Sequence, residues 1–161
     1  MRKNIAVGIL FAGLLSSCGT QVNKTPVVFP ENKTCALIPF INYSETPLAG
    51  KSAASITFGV LKAKGYKVKS FLEMKNDDLS VKEIKSLKET LKNKGYTCIV
   101  EGYVNEWRYK TGIDGEPAVS TTIIIENPAT NSTLSTTTIS GTSWGHKSIT
   151  TLYQGLLNGE F

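Results

Sequence analysis

Cys35-Ala-Leu-Ile-Pro-Phe-Ile41 is the stretch of sequence that decides the fold. The run is almost continuously apolar, which is typical of a strand that is covered on both faces. Pro39 has no N–H to donate to a neighbouring strand, so we expect a break or bulge near the end of the run. A strand of this kind predicts an α/β protein in which helices pack on the sheet.

A β-α-β unit begins with this strand. After a polar loop, residues 48–64 carry apolar side chains near one face and predict a helix, which Gly65 ends. Residues 66–68 then predict a short strand. A connection of this length implies parallel strands and a right-handed crossover.

The rest of the chain predicts a second helix, three strands and a last helix. Residues 80–83 (SVKE) form a capping box that begins the second helix, and Gly95 ends it. The predicted order is therefore β-α-β-α-β-β-β-α. It makes a mixed β-sheet with a β-α-β start, an antiparallel C-terminal meander and helices packed on it. The meander strands and the last, amphipathic helix are expected at 96–109, 119–126, 132–142 and 147–158.

The N-terminus resembles the signal peptide of a bacterial lipoprotein. Two basic residues precede an apolar core at 5–15, which is too short for a spanning helix of about 20 residues. Leu15-Ser-Ser-Cys18 then resembles a lipobox, where a signal peptidase cuts before an acylated cysteine. Gly19 stands where an Asp tends to retain lipoproteins in the inner membrane. We therefore expect a lipid on Cys18 and a location at the periplasmic face of the outer membrane; the alternative is an ordinary signal peptide with an incidental cysteine.

This resemblance divides the chain into three parts. Residues 1–17 are the expected lipoprotein signal peptide, and residues 18–32 are the lipidated cysteine and a tether with two prolines and no periodic pattern. Residues 33–161 are expected to form a single α/β domain, since a chain of about 130 residues can bury one core. No later segment of the sequence is long and apolar enough to cross a membrane as a helix.

Charge is unevenly distributed along the chain. The formal net charge is +5, but residues 19–100 contain 13 basic and 7 acidic side chains, whereas residues 101–161 contain 3 basic and 6 acidic ones. A protein outside the cytoplasm rarely meets nucleic acid, so the basic net charge does not predict a nucleic-acid partner. A surface divided by sign can instead concentrate a charged partner on one face.

Cys35 and Cys98 are the two thiols that remain after lipidation. Each lies near the start of a predicted strand, and an oxidising periplasm permits a bridge between them. A bridge also needs suitable Cα spacing and Cβ direction, which a sequence does not supply. Two buried free thiols that pack as small apolar groups are the slightly favoured alternative.

The sequence lacks the motifs of common enzymes. His146 is the single histidine, and no cluster of His, Cys, Asp and Glu has metal-ligand spacing. There is no G-x-S-x-G elbow and no glycine-rich phosphate loop. We therefore expect no metal, no cofactor and no catalytic activity. The alternative is a glycan hydrolase in which two of the four carboxylates between residues 101 and 116 act as acid and base.

Two short segments look specialised. In residues 106–110 (EWRYK), strand alternation sends Trp107 and Tyr109 to one face and Arg108 to the other. Trp144 stands between a serine and a glycine, between the last strand and the last helix. This side chain is expected to plug the core, to anchor an interface or to contact a membrane surface, where an amphipathic ring is favoured.

These segments carry a resemblance to a known family. Residues 106–119 (EWRYKTGIDGEPAV) are its most specific part, and residues 140–145 (SGTSWG) also fit. Residues 36–44 (ALIPFINYS) fit as well, although several α/β outer-membrane lipoproteins begin with such a strand and loop. With the lipobox and the length, the resemblance covers nearly the whole mature chain. The sequence is similar to the PelC family, outer-membrane lipoproteins of the Pel exopolysaccharide secretion system.

The resemblance implies a non-catalytic subunit of an export apparatus. PelC-type proteins form a dodecameric ring under the outer membrane, beneath or around a PelB-type β-barrel porin, and such a ring would guide a cationic aminosugar polymer to the porin. On this resemblance, Asp114 and Glu116 belong to an electronegative face that guides the polysaccharide. Arg108 orders a loop or a subunit contact, and Trp144 is an aromatic residue that faces the membrane.

A lipoprotein activator of a peptidoglycan synthase is the alternative function. Such activators use a related α/β domain on a long tether. The tether expected here spans a few tens of ångströms at most, at about 3.3 Å per extended residue. This length favours the export subunit over the activator.

Overall fold

Seven strands of the described residues form one mixed sheet, and helices pack against both of its faces. The computed structural model describes residues 19–74, 77–110, 116–144 and 147–161. In chain order the elements are β1 (Thr20–Lys24), β2 (Cys35–Leu37), β3 (Ile41–Asn42), α1 (Ala49–Ala63), β4 (Val68–Ser70), a short 3₁₀ helix (Leu72–Met74), α2 (Val81–Asn93), β5 (Ile99–Lys110), β6 (Glu116–Asn127), β7 (Ser132–Thr142) and α3 (Ile149–Asn158).

The strand order confirms the predicted α/β fold. The strands lie in the order β1-β7-β6-β5-β2-β4, and β3 pairs with β5. β2 runs parallel to β4 and β5, whereas β5, β6 and β7 form the antiparallel meander. The apolar run that begins at Cys35 divides into β2 and β3 on either side of Pro39, as the missing N–H of proline predicts.

Local signals mark the ends of the two longer helices. The Ser80 hydroxyl accepts the N–H of Glu83 at 3.3 Å, and the N–H of Ser80 donates to the Glu83 carboxylate at 2.9 Å. This is the predicted capping box at the start of α2. Gly65 and Gly95 follow α1 and α2 with positive φ values of 87° and 83°, a conformation that favours glycine.

The sheet separates two apolar clusters. On one face α1 and α3 cover the sheet, with Leu61 and Leu157 fully buried against it. On the other face α2 packs Ile84, Leu87 and Leu91 against β2 and the start of β5. Within the described ranges, no helix combines the length and the apolar character that crossing a bilayer requires.

The structure differs from the expected tether at residues 20–24. These residues form β1, which pairs antiparallel with β7, and Thr20 lies opposite Gly141. All of its side chains are exposed, so the strand has no apolar pattern; backbone hydrogen bonds to β7 and an ion pair between Lys24 and Glu160 hold it in place. Hydrophobic periodicity therefore does not reveal it.

The slight preference for free thiols is wrong, because Cys35 and Cys98 form a disulfide. β2 and β5 are parallel neighbours with Ala36 opposite Ile99, and this register places the two cysteines side by side with Cα atoms 4.5 Å apart. That spacing suits a disulfide. The pairing of two strands distant in sequence decided the outcome.

Candidate functional site

The predicted site residues that the structure describes lie at one end of the sheet. β5 ends and β6 begins there, with Lys110 opposite Glu116 and Arg108 opposite Ala118. Beyond the end of β7, the N–H of Ser143 donates to the Pro117 carbonyl at 3.2 Å. This bond brings the adjacent Trp144 to the same end of the sheet as Arg108 and Glu116. Two further predicted residues, Cys18 and Asp114, lie outside the described residues.

Arg108 is an exposed cation that pairs with a near neighbour. Its Nε donates to the Glu106 carboxylate, which lies on the same face of β5. This hydrogen bond is the largest cause that raises the pKa of Arg108 further, and the charge of Glu116 adds to it. Because both side chains are largely exposed, the pair contributes little to stability. Its guanidinium remains accessible for contact with a loop or another molecule.

Trp107 is a core residue, as strand alternation predicts for the face opposite Arg108. Its ring meets Tyr153 edge to face, with ring centroids 5.3 Å apart. The Tyr153 hydroxyl lies 3.0 Å from the Thr57 hydroxyl and 3.4 Å from that of Thr121. Complete burial raises the pKa of Tyr153 to about 12, so this phenol is a neutral structural group. Trp107 therefore anchors the strand that carries Arg108.

Trp144 does not plug the core. Its side chain is 54% exposed, and Tyr109 at the same end of the sheet is 46% exposed. Of the three interpretations that the sequence left open, an interface anchor and a membrane contact remain. Both need a ring that stands out from the domain, as this one does.

The N-terminus joins this end of the sheet, which the sequence did not indicate. The N–H of Thr142 donates to the Gly19 carbonyl at 3.2 Å, next to the pair between Thr20 and Gly141. Residue 18 is therefore one peptide bond away from a backbone contact at the end of β7. Trp144 follows two residues after that contact. The start of the described chain and Trp144 thus leave the sheet side by side.

A surface cleft lies beside Arg108. Its volume is about 440 Å³, and a β-bulge between Val104 and Glu106 shapes one wall. The loop after β3 forms the other wall. The sequence predicted a functional role only for the strand side of this cleft, because the loop residues were noted for their resemblance alone. The lining residues are Tyr43, Ser44, Glu45, Thr46, Asn105, Glu106, Trp107 and Arg108.

A second charged cluster lies away from the cleft, between α2 and the sheet. The Lys88 Nζ lies 2.9 Å from the Glu101 carboxylate and 2.7 Å from that of Glu126. Burial lowers the pKa of Lys88, but its two carboxylate partners raise it overall. Burial raises the pKa of Glu101 above its usual range, although Lys88 opposes the shift. Sequence spacing does not reveal this cluster, because its members lie on three separate elements.

These pairings weigh against the acid and base roles considered for the carboxylates. Glu101 is committed to Lys88, and Glu106 is committed to Arg108. Within the ranges that the structure describes, no group of three or more His, Cys, Asp and Glu side chains could hold a metal ion. The described part of this end of the sheet offers charges and aromatic surfaces for binding.

Comparison with solved structures identifies the fold. A PelC variant dodecamer from Paraburkholderia phytofirmans, in space group C2, shares 27% sequence identity with the chain at a TM-score of 0.71. The match covers 88% of this chain and 94% of that one. A PelC dodecamer from the same organism in space group P6 gives 27% identity and a TM-score of 0.69, over 86% and 94% of the two chains. The chain has a PelC-like fold.

The PelC-like fold extends to a more distant structure. The lipoprotein GNA1162 from Neisseria meningitidis shares 14% identity with the chain at a TM-score of 0.58, over 79% of this chain and 94% of that one. At that identity the likeness concerns the fold alone. The chain matches no protein-family model and no curated protein.

Proposed function

We propose that the chain is a non-catalytic, lipid-anchored subunit of an exopolysaccharide export apparatus. Twelve copies of the chain form a ring at the periplasmic face of the outer membrane, and this ring guides a cationic polysaccharide to a β-barrel porin. One observation carries the proposal: the likeness to two PelC dodecamers at 27% identity over most of both chains. Neither a cofactor nor a nucleic acid has a part in it.

The geometry of the N-terminus supports a position at the membrane. A lipid on Cys18 would be separated by Gly19 alone from the strand that pairs with β7. The domain would then lie directly at the leaflet, with the end of the sheet that carries Trp144 turned toward it. A tryptophan ring favours the membrane interface, so the lipid and the exposed side chain would act together.

The same end of the sheet suits the guidance of a cation. Glu116 begins β6 and Asp114 lies in the connection that precedes it. In a closed ring each carboxylate is repeated around the opening, and a low-dielectric channel focuses the summed field onto a charged partner. Arg108 is an exposed cation near Glu116, and it serves the loop or the contact between subunits.

The short connection between Cys18 and β1 disfavours the alternative function, activation of a peptidoglycan synthase. That alternative needs a domain that reaches away from the membrane on a long, free tether. Pairing of β1 with β7 instead leaves only Gly19 between Cys18 and the sheet, and the Gly19 carbonyl itself accepts the N–H of Thr142. An activator of this kind would have to detach β1 from the sheet first.

Replacement of Asp114 tests the proposal. We expect native mass spectrometry of the full-length, lipidated protein in detergent to give a closed oligomer near twelve copies. The variant Asp114→Asn is then expressed in cells from which the chromosomal copy of the gene has been deleted. It should lower the amount of exported polysaccharide several-fold, because the electric field at the ring opening weakens, and it should leave the oligomer intact. Asp77→Asn is the matched control, since Asp77 is an exposed carboxylate on the loop before α2. A monomer in detergent together with normal export by Asp114→Asn would overturn the proposal.

A further inference from the structure

The cleft beside Arg108 contains an aromatic platform. Tyr43 is 61% exposed, and its ring stacks on that of Tyr103 with centroids 5.8 Å apart and an interplanar angle of 12°. Tyr103 thus supports one face of the Tyr43 ring, and the other face is available to a ligand. The negative face of a tyrosine ring attracts the C–H groups of a sugar ring, and it also attracts a cation within about 6 Å.

Carboxylates and hydrogen-bonding groups surround the platform. Glu45 is exposed and has no hydrogen bond or ion pair with any residue that the structure describes. The charge of Glu106 is offset by Arg108, so the cleft keeps one uncompensated negative charge at Glu45. Asn105 and Ser44 add an amide and a hydroxyl. An ammonium group and sugar hydroxyls are the partners that this set of groups favours.

Hydrogen bonds hold the loop side of the cleft in place. The side-chain oxygen Oδ1 of Asn42 accepts the N–H of Ser44 at 2.9 Å and the Ser44 hydroxyl at 2.7 Å. The Asn42 amide donates to the Thr46 carbonyl and to Asp78, each at 2.8 Å. The Thr46 hydroxyl donates to the Trp107 carbonyl, which ties the loop to β5. A loop ordered before binding loses little entropy when a ligand arrives.

We propose that this cleft binds one unacetylated hexosamine unit of a polysaccharide. The Tyr43 ring receives the C–H face of the sugar, the Glu45 carboxylate receives the ammonium group, and Asn105 and Ser44 bind hydroxyls. The cleft volume of about 440 Å³ lies within the roughly 300–1,000 Å³ of small-molecule sites. The inference rests on the proposed function for the polymer, and it adds a sugar-binding site on residues apart from Asp114 and Glu116.

The chemistry of the cleft separates related ligands. An N-acetylated sugar keeps the contact with Tyr43 but loses the ammonium group that Glu45 binds. A phosphorylated ligand or a nucleic acid brings negative charge against Glu45 and is disfavoured. Preference for the amine form over the acetylated form is therefore the signature of this site.

Two oligosaccharides and two variants test the proposal. Full-length protein in detergent is titrated by calorimetry with a glucosamine pentamer and with the N-acetylglucosamine pentamer. We expect the parent protein to bind the amine form about threefold more tightly, since an ion pair between exposed groups contributes only modestly. Glu45→Gln should abolish this preference and leave affinity for the acetylated form unchanged. Tyr43→Ala should weaken both ligands about fivefold, because the platform serves both.

The controls separate loss of the site from loss of the fold. Tyr43 and Glu45 have exposed side chains, so thermal unfolding of both variants should match that of the parent protein. Glu31→Gln removes an exposed carboxylate outside the cleft and should leave both affinities unchanged. Absence of binding to the parent protein contradicts the proposal, and so does a preference for the amine form that survives Glu45→Gln.

The outcomes also distinguish failure of the sugar-binding proposal from failure of the proposed function. If export depends on Asp114 but the protein shows no selective binding that depends on Glu45, the proposed function stands and the sugar-binding proposal is overturned. If the protein binds the amine form selectively but is monomeric and dispensable for export, the sugar-binding proposal stands and the proposed function is overturned.

Discussion

The two halves of the sheet differ in what covers them. In the parallel half (β2, β4 and the start of β5), both faces of the central strand are buried, as in Cys35–Leu37. In the antiparallel half (β1, β6, β7 and the rest of β5), burial alternates along β6 and β7. Helices cover one face of this half, and the other face carries a ladder of hydroxyls. Ser120 pairs with Ser140 and Thr122 with Thr138, each at 3.0 Å.

This difference separates stability from surface chemistry. The parallel half contains the disulfide and the strand with no exposed face. Arg108, Glu116 and Trp144 lie at the far end of the antiparallel half, where side chains reach solvent. A substitution on the outer face of the antiparallel half can therefore change binding with little effect on the free energy of unfolding. Unfolding measurements on variants of the two halves test that contrast.

Removal of the disulfide should have the largest effect. The bridge joins Cys35 and Cys98, which are 63 residues apart, and a closed loop of this length stabilises the fold by about 4 kcal/mol in the chain-entropy model. The double variant Cys35→Ala/Cys98→Ala should lose about that free energy of unfolding in urea. Reduced parent protein is the control and should unfold at a similar midpoint. A double variant as stable as the oxidised parent would contradict the assignment of stability to the parallel half.

Removal of Lys88 should have an intermediate effect at the border of the two halves. Lys88→Met leaves the Glu101 and Glu126 carboxylates without their shared cation. The Lys88 side chain is 26% exposed, so we expect a loss of about 2 kcal/mol at neutral pH, below the cost of breaking a fully buried pair. The measurement is urea unfolding at several pH values.

The pH dependence of this variant has a definite sign. Burial raises the pKa of Glu101 in the fold, and loss of Lys88 removes a group that opposes the shift. When an acid has a higher pKa in the folded state than in the unfolded state, the folded protein becomes less stable as the pH rises through that pKa. The loss of stability caused by Lys88→Met should therefore become smaller as the solution is acidified. Lys85→Met is the control on the exposed face of α2. A defect that grows on acidification would contradict the account of this cluster.

Substitution on the outer face of β6 should have the smallest effect. Thr122→Val removes one half-buried hydroxyl and keeps a β-branched side chain, so we expect a change of about 0.5 kcal/mol or less. The adjacent Ile123 faces the core, and Ile123→Ala should lose about 3 kcal/mol. Thermal and urea unfolding of the two variants compares the two faces directly. Equal losses at both positions would show that the outer face is not a separate surface.

Much of the fold could be predicted because its signals are local. The capping box at Ser80 and the positive φ at Gly65 and Gly95 depend on residues within one turn of the chain. The break at Pro39 follows from the chemistry of one residue. Most strands and helices follow from the periodic apolar patterns that one buried face imposes.

Less of the candidate site could be predicted. The segment around Arg108 stood out by composition, and so did Trp144. Tyr43 and Glu45 did not, because their importance depends on a bulged strand that is distant in sequence. The cluster around Lys88 was missed for the same reason, since α2, β5 and β6 each contribute one of its charges.

The sequence by itself determined the fold class, the order of most elements and their ends, because turns, caps and apolar periodicity act between residues a few positions apart. The tertiary structure alone decided which distant groups meet. Strand register determines three features: the disulfide between Cys35 and Cys98, the pairing of β1 with β7, and the cleft beside Arg108. Register is set by the packing of the whole sheet against its helices, and no short segment encodes it.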